Sequence, residues 1–182
     1  MKKIILLLTL IMILCPSCSS PTEPLTQQTL LFDTVIQIRI YDPDSEDILL
    51  ECMQMCEYYE SLFSRTKQNS DIYNINHANG TAVTVSPETI ELLETALHYS
   101  QLSNGVFDIS LAPVSDLWDF QNNKGNLPNP SALSEALSHT GYEKIVVNGT
   151  SVQLLDPQMQ IDLGGIAKGY SKVMAVVKGG SQ

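Results

Sequence analysis

Hydrophobic and polar positions alternate over residues 34–41, where Ile36, Ile38 and Ile40 share one side of the chain. An alternation of this kind predicts a half-buried β-strand. From Ser45 to about Phe63 the apolar residues change to helical spacing, and Ser45 can cap the predicted helix. The apolar face predicted for this helix consists of Ile48, Cys52, Cys56, Tyr59 and Phe63.

The following part of the chain continues with short elements of both kinds. Residues 86–88 (SPE) are a strong helix start, and Asn-Gly at 104–105 ends that helix. The buried stripe predicted for it is Ile90, Leu93 and Leu97. An Asn-Gly turn predicts a hairpin over residues 145–155. The other predicted elements are a loop over 64–80, a strand over 81–85, a loop over 120–130, a helix over 131–139, a strand ending at 161–162 and a helix opening at 164–165.

Hairpins mixed with helices predict an α+β fold with mixed, mainly antiparallel sheets flanked by helices, rather than a doubly wound parallel sheet.

The N-terminus has the pattern of a lipoprotein signal peptide. Two lysines precede an apolar stretch over residues 4–14, which suits a signal peptide and is too short to span a bilayer. The small residue Ser17 precedes Cys18, as in a bacterial lipobox, so Cys18 is the expected lipid anchor. A plain secretory signal with incidental cysteines is the alternative. The predicted division is a signal peptide over 1–17, a lipidated, flexible polar tether over 18–28 and a domain over 29–182.

Composition and charge narrow the classes of partner. The chain has 182 residues with 43% hydrophobic side chains, which is enough for one ordinary domain with a buried core. Its net charge of -10 would repel a phosphate backbone, so nucleic acid is not an expected partner. The same charge would not hold the protein on anionic lipid, so membrane attachment needs the lipid anchor. Cys52 and Cys56, four residues apart in a helix, are interpreted as small buried hydrophobic residues.

Two segments have the composition of a ligand site. Residues 161–170 (IDLGGIAKGY) place an acid, Asp162, at a strand end, followed by two glycines, a helix start and Lys168. Exposed backbone N–H groups at a helix start together with a lysine suit a phosphate or metal–phosphate ligand. A tight strand–helix turn is the alternative. Residues 105–113 (GVFDISLAP) carry a lone acid, Asp108, whose alternative role is a loop cap.

Four blocks in order resemble the ApbE family of flavinyltransferases. Residues 162–170 resemble its glycine-rich signature, and residues 105–118 resemble its G-x-F-D-I-[ST]…P…LW block. Residues 32–35 (FDTV) resemble its opening strand, and residues 63–76 resemble the exit of its first helix. The resemblance covers roughly residues 31–170 and implies an ApbE-like fold that is incomplete at the C-terminus, because the family continues beyond its glycine-rich block.

The resemblance implies an activity and a site. The activity is cleavage of FAD and transfer of its FMN part to a Ser or Thr hydroxyl of a target protein, with release of AMP and dependence on Mg2+. Asp162 would then lie beside the reacting pyrophosphate, where we expect it to orient or deprotonate the hydroxyl. Gly165 would offer its carbonyl to the metal. The residues implied to bind FAD are Phe32, Thr66, Val106, Phe107, Asp108, Asp162 and Lys168.

Two other functions remain open from the sequence. The chain could be an FAD-binding lipoprotein without transferase activity, or a substrate-binding lipoprotein of a transporter. The second leaves the blocks around Asp108 and Asp162 unexplained. With the lipid anchor, each alternative predicts an extracytoplasmic protein held at the cell membrane.

Overall fold

The computed structural model describes residues 23–42, 44–120, 122 and 125–171. Helices and small antiparallel sheets are mixed along the chain, which confirms the predicted α+β class. The strands are β1 (Leu25–Leu31), β2 (Thr34–Ile40), β3 (Val83–Thr84), β4 (Ile145–Asn148) and β5 (Ser151–Leu154). The helices are α1 (Glu46–Phe63), α2 (Asp71–Asn76), α3 (Pro87–Leu102), α4 (Ala112–Asp116) and α5 (Pro130–Ser138), with a 3-10 turn at Tyr142–Lys144.

The first sheet is the antiparallel hairpin of β1 and β2, paired from Leu25↔Ile40 to Leu31↔Thr34. The alternation in β2 is confirmed, because its even-numbered residues are half-buried and its odd-numbered residues are mostly exposed. The tether predicted over residues 18–28 differs from the structure in its last part, since residues 25–28 already pair with β2. Their polar side chains are exposed, and backbone hydrogen bonds rather than apolar burial hold them.

Helix α1 packs its buried face against both the hairpin and α2. The predicted face is confirmed at Cys56, Tyr59 and Phe63, but Ile48 and Cys52 are only partly buried. Leu49 and Met53 lie inside instead. At the start of the helix the buried face is therefore shifted by one residue from the predicted face, and it is also broader. The reason is that both the hairpin and α2 cover it, and the spacing of apolar residues along one helix does not reveal such neighbours.

Helix α2 contradicts the loop predicted over residues 64–80. The hydroxyl of Ser70 accepts from the N–H of Tyr73 and caps the helix, while Ile72 and Ile75 are buried. Asp71 then accepts hydrogen bonds from the N–H of Ser86 (2.9 Å) and the hydroxyl of Thr89 (2.6 Å). Asp71, in the segment predicted as a loop, therefore joins α2 to the start of α3.

Helix α3 lies where residues 86–105 predict it. It ends at Leu102, and two residues with positive φ, Asn104 (52°) and Gly105 (79°), follow its C-cap Ser103. Of the predicted stripe, Leu93 is fully buried, while Ile90 and Leu97 pack on the edge of the core. The second sheet has the order β3-β5-β4, and its hairpin confirms the turn prediction at 145–155. Among the described residues no helix is long and apolar enough to cross a membrane. The predicted anchor Cys18 lies outside the described residues.

Candidate active site

The start of a turn at residues 162–165 is held by hydrogen bonds to two distant parts of the chain. The N–H of Ile161 donates to Asn76 Oδ1 (2.8 Å), and Asn76 Nδ2 donates to the carbonyl of Ile161 (2.9 Å). The N–H of Asp162 donates to the carbonyl of Ile109 (2.8 Å). Asp162 Oδ1 accepts from the N–H of Gly164 (2.7 Å), so the carboxylate itself closes the turn.

These bonds explain why no strand forms at the position predicted to end at 161–162. The carbonyl and N–H of Ile161 are taken by the Asn76 side chain, and only one parallel bridge, Leu111↔Gln160, forms beside it. The two backbone groups are thus satisfied without a ladder. Asn76 is buried with 8% of its surface exposed, so these bonds are shielded from water.

The second segment of the site follows α3 and is fixed by its own side chains. The hydroxyl of Ser103 accepts from the N–H of Phe107 (3.0 Å). Asp108 accepts from the N–H of Ser110 at Oδ1 (2.8 Å) and from the N–H of Tyr142 at Oδ2 (3.2 Å). Asp108 therefore has the loop-capping role considered from the sequence, and it also borders the cleft described next.

Two clefts meet at Phe107 and Gly165. The larger, of about 500 Å³, is mainly apolar, and the smaller, of about 310 Å³, is the more polar. The apolar cleft is lined by Tyr99, Leu102, Ser103, Phe107, Gly165 and Ile166. The polar cleft is lined by Phe107, Asp108, Ile109, Leu111, Ala112, Ser115, Asp162, Gly164 and Gly165. A methyl group added at Gly165 would lie 3.4 Å from Phe107 Cε2, so ring and glycine touch at the boundary between the clefts.

Arg65 brings a positive charge to this region. It follows α1 in the chain, and its Nη2 donates to Asp116 Oδ1 on α4. Its Nη1 lies 3.7 Å from Asp162 Oδ2. At this distance the two groups form an ion pair but no hydrogen bond. Among the described residues no group accepts a hydrogen bond from the buried Nη1. One guanidinium thus bridges two carboxylates from separate elements.

Aromatic contacts fix the helical turn over residues 167–171, which follows the glycines. The Tyr170 ring packs edge-on against Tyr59 and Phe63 of α1, and its hydroxyl donates to Glu91 Oε2 (2.9 Å) on α3. Burial, and then the hydrogen bond to Glu91, raise the pKa of Tyr170 far above its ordinary value. The two ring contacts and the hydrogen bond to Glu91 thus hold the helical turn against α1 and α3.

The ApbE family model matches residues 32–177, which include both clefts and the glycine turn. The chain belongs to the ApbE family. The chain is similar to a protein named FAD:protein FMN transferase from Klebsiella pneumoniae (strain 342), with 30% identity over 143 residues, 77% of this chain and 45% of the relative. A relative of the same name from Treponema pallidum (strain Nichols) is 31% identical over 153 residues, covering 78% of this chain and 42% of its own length.

Solved ApbE structures share the fold. The ApbE protein from Thermotoga maritima superposes with a TM-score of 0.75 at 27% identity, over 84% of this chain and 51% of that one. The flavin transferase ApbE from Vibrio cholerae gives a TM-score of 0.78 at 24% identity, over 89% and 55%, and supports the fold alone. The family resemblance and the fold class are confirmed. The chain spans about half the length of the curated relatives it matches.

The structure brings together four of the residues that the ApbE resemblance assigned to the site. Phe107, Asp108, Asp162 and Gly165 all line the polar cleft. Their roles stay predictions, because a position beside a cleft does not by itself assign a role.

The other assigned residues do not line either of these two clefts. Phe32 sits in the β1–β2 turn with a positive φ of 52°, where its N–H donates to Glu60 Oε1 (3.0 Å) and its ring packs on the core. Thr66 and Val106 are exposed, and Val106 shows 87% of its surface. Lys168 is also exposed and forms no ion pair with the described part of the chain. A ligand in the clefts would have to extend beyond their linings to reach these four side chains.

Arg65, Asp116 and Ser115 are site residues that the sequence reasoning did not assign. Arg65 stands next to Thr66 in a block that resembles the family, but its charge pointed to no partner in the sequence. Its partners lie 51 and 97 positions further along the chain, at Asp116 and Asp162. The available signal was an arginine two residues after Phe63, the last residue of the predicted helix.

Proposed function

We propose that the chain binds FAD and transfers its FMN part to a Ser or Thr hydroxyl of a target protein, releasing AMP, in a reaction that requires Mg2+. The observation that carries the proposal is the pair of clefts on either side of Phe107. FAD has flat rings joined by a charged diphosphate. An apolar cleft continuous with a polar one suits a ring next to a diphosphate.

The transfer balances as a phosphoryl substitution. The hydroxyl oxygen of the target attacks the phosphorus on the FMN side, and the bond from that phosphorus to the bridging oxygen breaks. AMP leaves with the electron pair of that bond, and the hydroxyl proton goes to a base. Catalysis of such a step is mostly positioning and neutralisation of charge, which a preformed turn and fixed side chains can provide.

Asp162 is our candidate for orienting or deprotonating the hydroxyl. Its Oδ1 is already used by the N–H of Gly164, so this oxygen keeps the carboxylate in place. Its Oδ2 faces Arg65 at 3.7 Å, without a hydrogen bond. Because a carboxylate oxygen can accept more than one hydrogen bond, Oδ2 retains the capacity to accept from a substrate hydroxyl.

The described residues alone do not form a magnesium site. No group of three His, Cys, Asp or Glu side chains in residues 23–42, 44–120, 122 and 125–171 could hold a metal ion. Mg2+ requires six ligands, mostly oxygens, in near-octahedral geometry, and a glycine carbonyl at 165 would supply one of them. The proposed requirement for Mg2+ rests on the family resemblance.

We also propose that the protein is held at the cell membrane, on the extracytoplasmic side, by a lipid on Cys18. The support is the order of charge, apolar stretch and small residue before this cysteine. On this proposal the polar residues between Cys18 and β1 would join the lipid to the domain.

The test of transfer uses FAD, Mg2+ and an acceptor protein of the Klebsiella pneumoniae relative. Intact-mass spectrometry should show the acceptor gaining the mass of FMN less water, and an acceptor with its Ser or Thr changed to Ala should gain nothing. The same assay on a fusion to the C-terminal half of the Treponema pallidum relative removes the dependence on chain length. FAD binding without a mass gain in either form would favour an FAD-binding lipoprotein and reject the transferase.

A further inference from the structure

Three carboxylates lie in or beside the polar cleft, where the diphosphate of FAD is proposed to bind. Asp108 and Asp162 line it, and Asp116 lies one residue beyond Ser115, which also lines it. The two oxygens of Asp108 are covered by backbone N–H groups, whereas the side chain of Asp116 is half exposed and that of Asp162 41% exposed. In a chain of net charge -10, an approaching anion meets repulsion here.

Within the described part of the chain, Arg65 is the cation that contacts these carboxylates. Its side chain is only 24% exposed, so its charge acts through less water than that of a surface lysine. The ion pairs also join the loop after α1 to α4 and to the glycine turn, which are the two walls of the polar cleft. Its buried Nη1 faces Asp162 and not the solvent, so the guanidinium is placed to act on the carboxylates.

We propose that Arg65 is a positioning residue of the polar cleft. By pairing with Asp116 and Asp162 it offsets one of their two negative charges, so that the cleft accepts the diphosphate of FAD. This inference rests on the proposed function. It assigns Arg65 an effect through the two aspartates, and not a direct bond to phosphate.

The proposal is tested by titrating FAD, followed by flavin fluorescence, into the full chain. Arg65→Ala should weaken FAD binding about tenfold at low salt, because a second unbalanced negative charge then lies near the diphosphate. The loss should shrink in high salt, where exposed charges are screened. Arg65→Lys should keep most of the affinity. Arg39→Ala, on an exposed position of β2, removes the same charge elsewhere and should change affinity less than twofold.

The double variant Arg65→Ala with Asp116→Asn decides between charge balance and a direct contact. If Arg65 acts by neutralising Asp116, the double variant should bind FAD nearly as well as the parent chain. If affinity stays as low as in Arg65→Ala, or if the loss is equal at low and high salt, the proposal is overturned. Circular dichroism of each variant shows whether it folds, and the double variant keeps the test open if Arg65→Ala does not.

The same titration separates this inference from the function on which it rests. A parent chain that binds FAD, with an Arg65→Ala variant that binds it equally well, would reject the role of Arg65 alone. A parent chain that binds no FAD would reject the proposed function together with the inference.

Discussion

Replacing Asn76 by Ala should destabilise the protein strongly, because one side chain satisfies two buried backbone groups. Asn76 bonds the N–H and the carbonyl of Ile161 at 2.8 and 2.9 Å, and the residue is 8% exposed. Each buried polar group left without a partner costs about 1 to 3 kcal/mol, so for two groups we expect a loss of about 2 to 6 kcal/mol in the free energy of unfolding. Urea unfolding followed by circular dichroism measures it.

A matched control lies two residues earlier in the same helix. Asn74 is exposed and its side chain makes no hydrogen bond within the described residues, so Asn74→Ala should change stability by less than about 0.5 kcal/mol. The reasoning would be refuted if Asn76→Ala cost no more than Asn74→Ala at an unchanged urea dependence. Since Ile161 directly precedes Asp162, the folded Asn76→Ala protein should also bind FAD more weakly than the control.

Three further predictions address the charge on the site, the pH dependence of stability and the anchor. Lys168→Ala should weaken FAD binding, most at low salt, whereas Asp162→Asn should leave binding equal or tighter while transfer falls, as measured by flavin fluorescence and acceptor mass. The hydrogen bond to Asp156 raises the pKa of His139. The contribution of His139 to the free energy of unfolding is therefore present below about pH 6.5 and is lost as pH rises through the raised pKa. His139→Gln should remove this decline from the urea midpoints. Cys18→Ala should abolish labelling by a fatty acid.

Each of these has an outcome that contradicts it. Normal transfer by folded Asp162→Asn would exclude the proposed role of that carboxylate. His98→Gln, which changes an exposed histidine on α3, should keep the parent pH profile, and a matching loss in it would remove the case for His139. If Cys15→Ala rather than Cys18→Ala abolishes the fatty-acid label, the anchor assignment is wrong.

The parts of the fold that follow from local chemistry could be predicted from the sequence. Alternation gave β2, the N-terminal Ser-Pro-Glu gave the start of α3, and Asn-Gly gave the β4–β5 hairpin. Helix α2 was missed because its composition is polar, although Ser70 before an acid is a helix cap and Ile72 and Ile75 supply an apolar face. Tertiary contacts stabilise this helix, since Asp71 bonds to Ser86 and Asn76 bonds to Ile161.

The arrangement of the site depended on contacts that one sequence does not encode locally. The blocks that resemble the family named Phe107, Asp108, Asp162 and Gly165, and these meet at the polar cleft. The bond from Asn76 to Ile161 spans 85 positions and gives no signal in either segment. The role of Arg65 could not be predicted either, because its partner carboxylates come close to it only in the folded chain.

The contacts of Asp162 make stability, binding and transfer separable. Its Oδ1 closes the turn with Gly164, and an asparagine oxygen can accept the same N–H, so Asp162→Asn should preserve the turn and remove only the charge. Arg65 would then have one carboxylate partner instead of two, which leaves the cleft less negative and favours the diphosphate. Asn76, in contrast, touches neither charge and holds only the backbone. A variant series at these three positions that shifted all three properties together would mean that the turn is a single structural unit, with no carboxylate acting on the substrate.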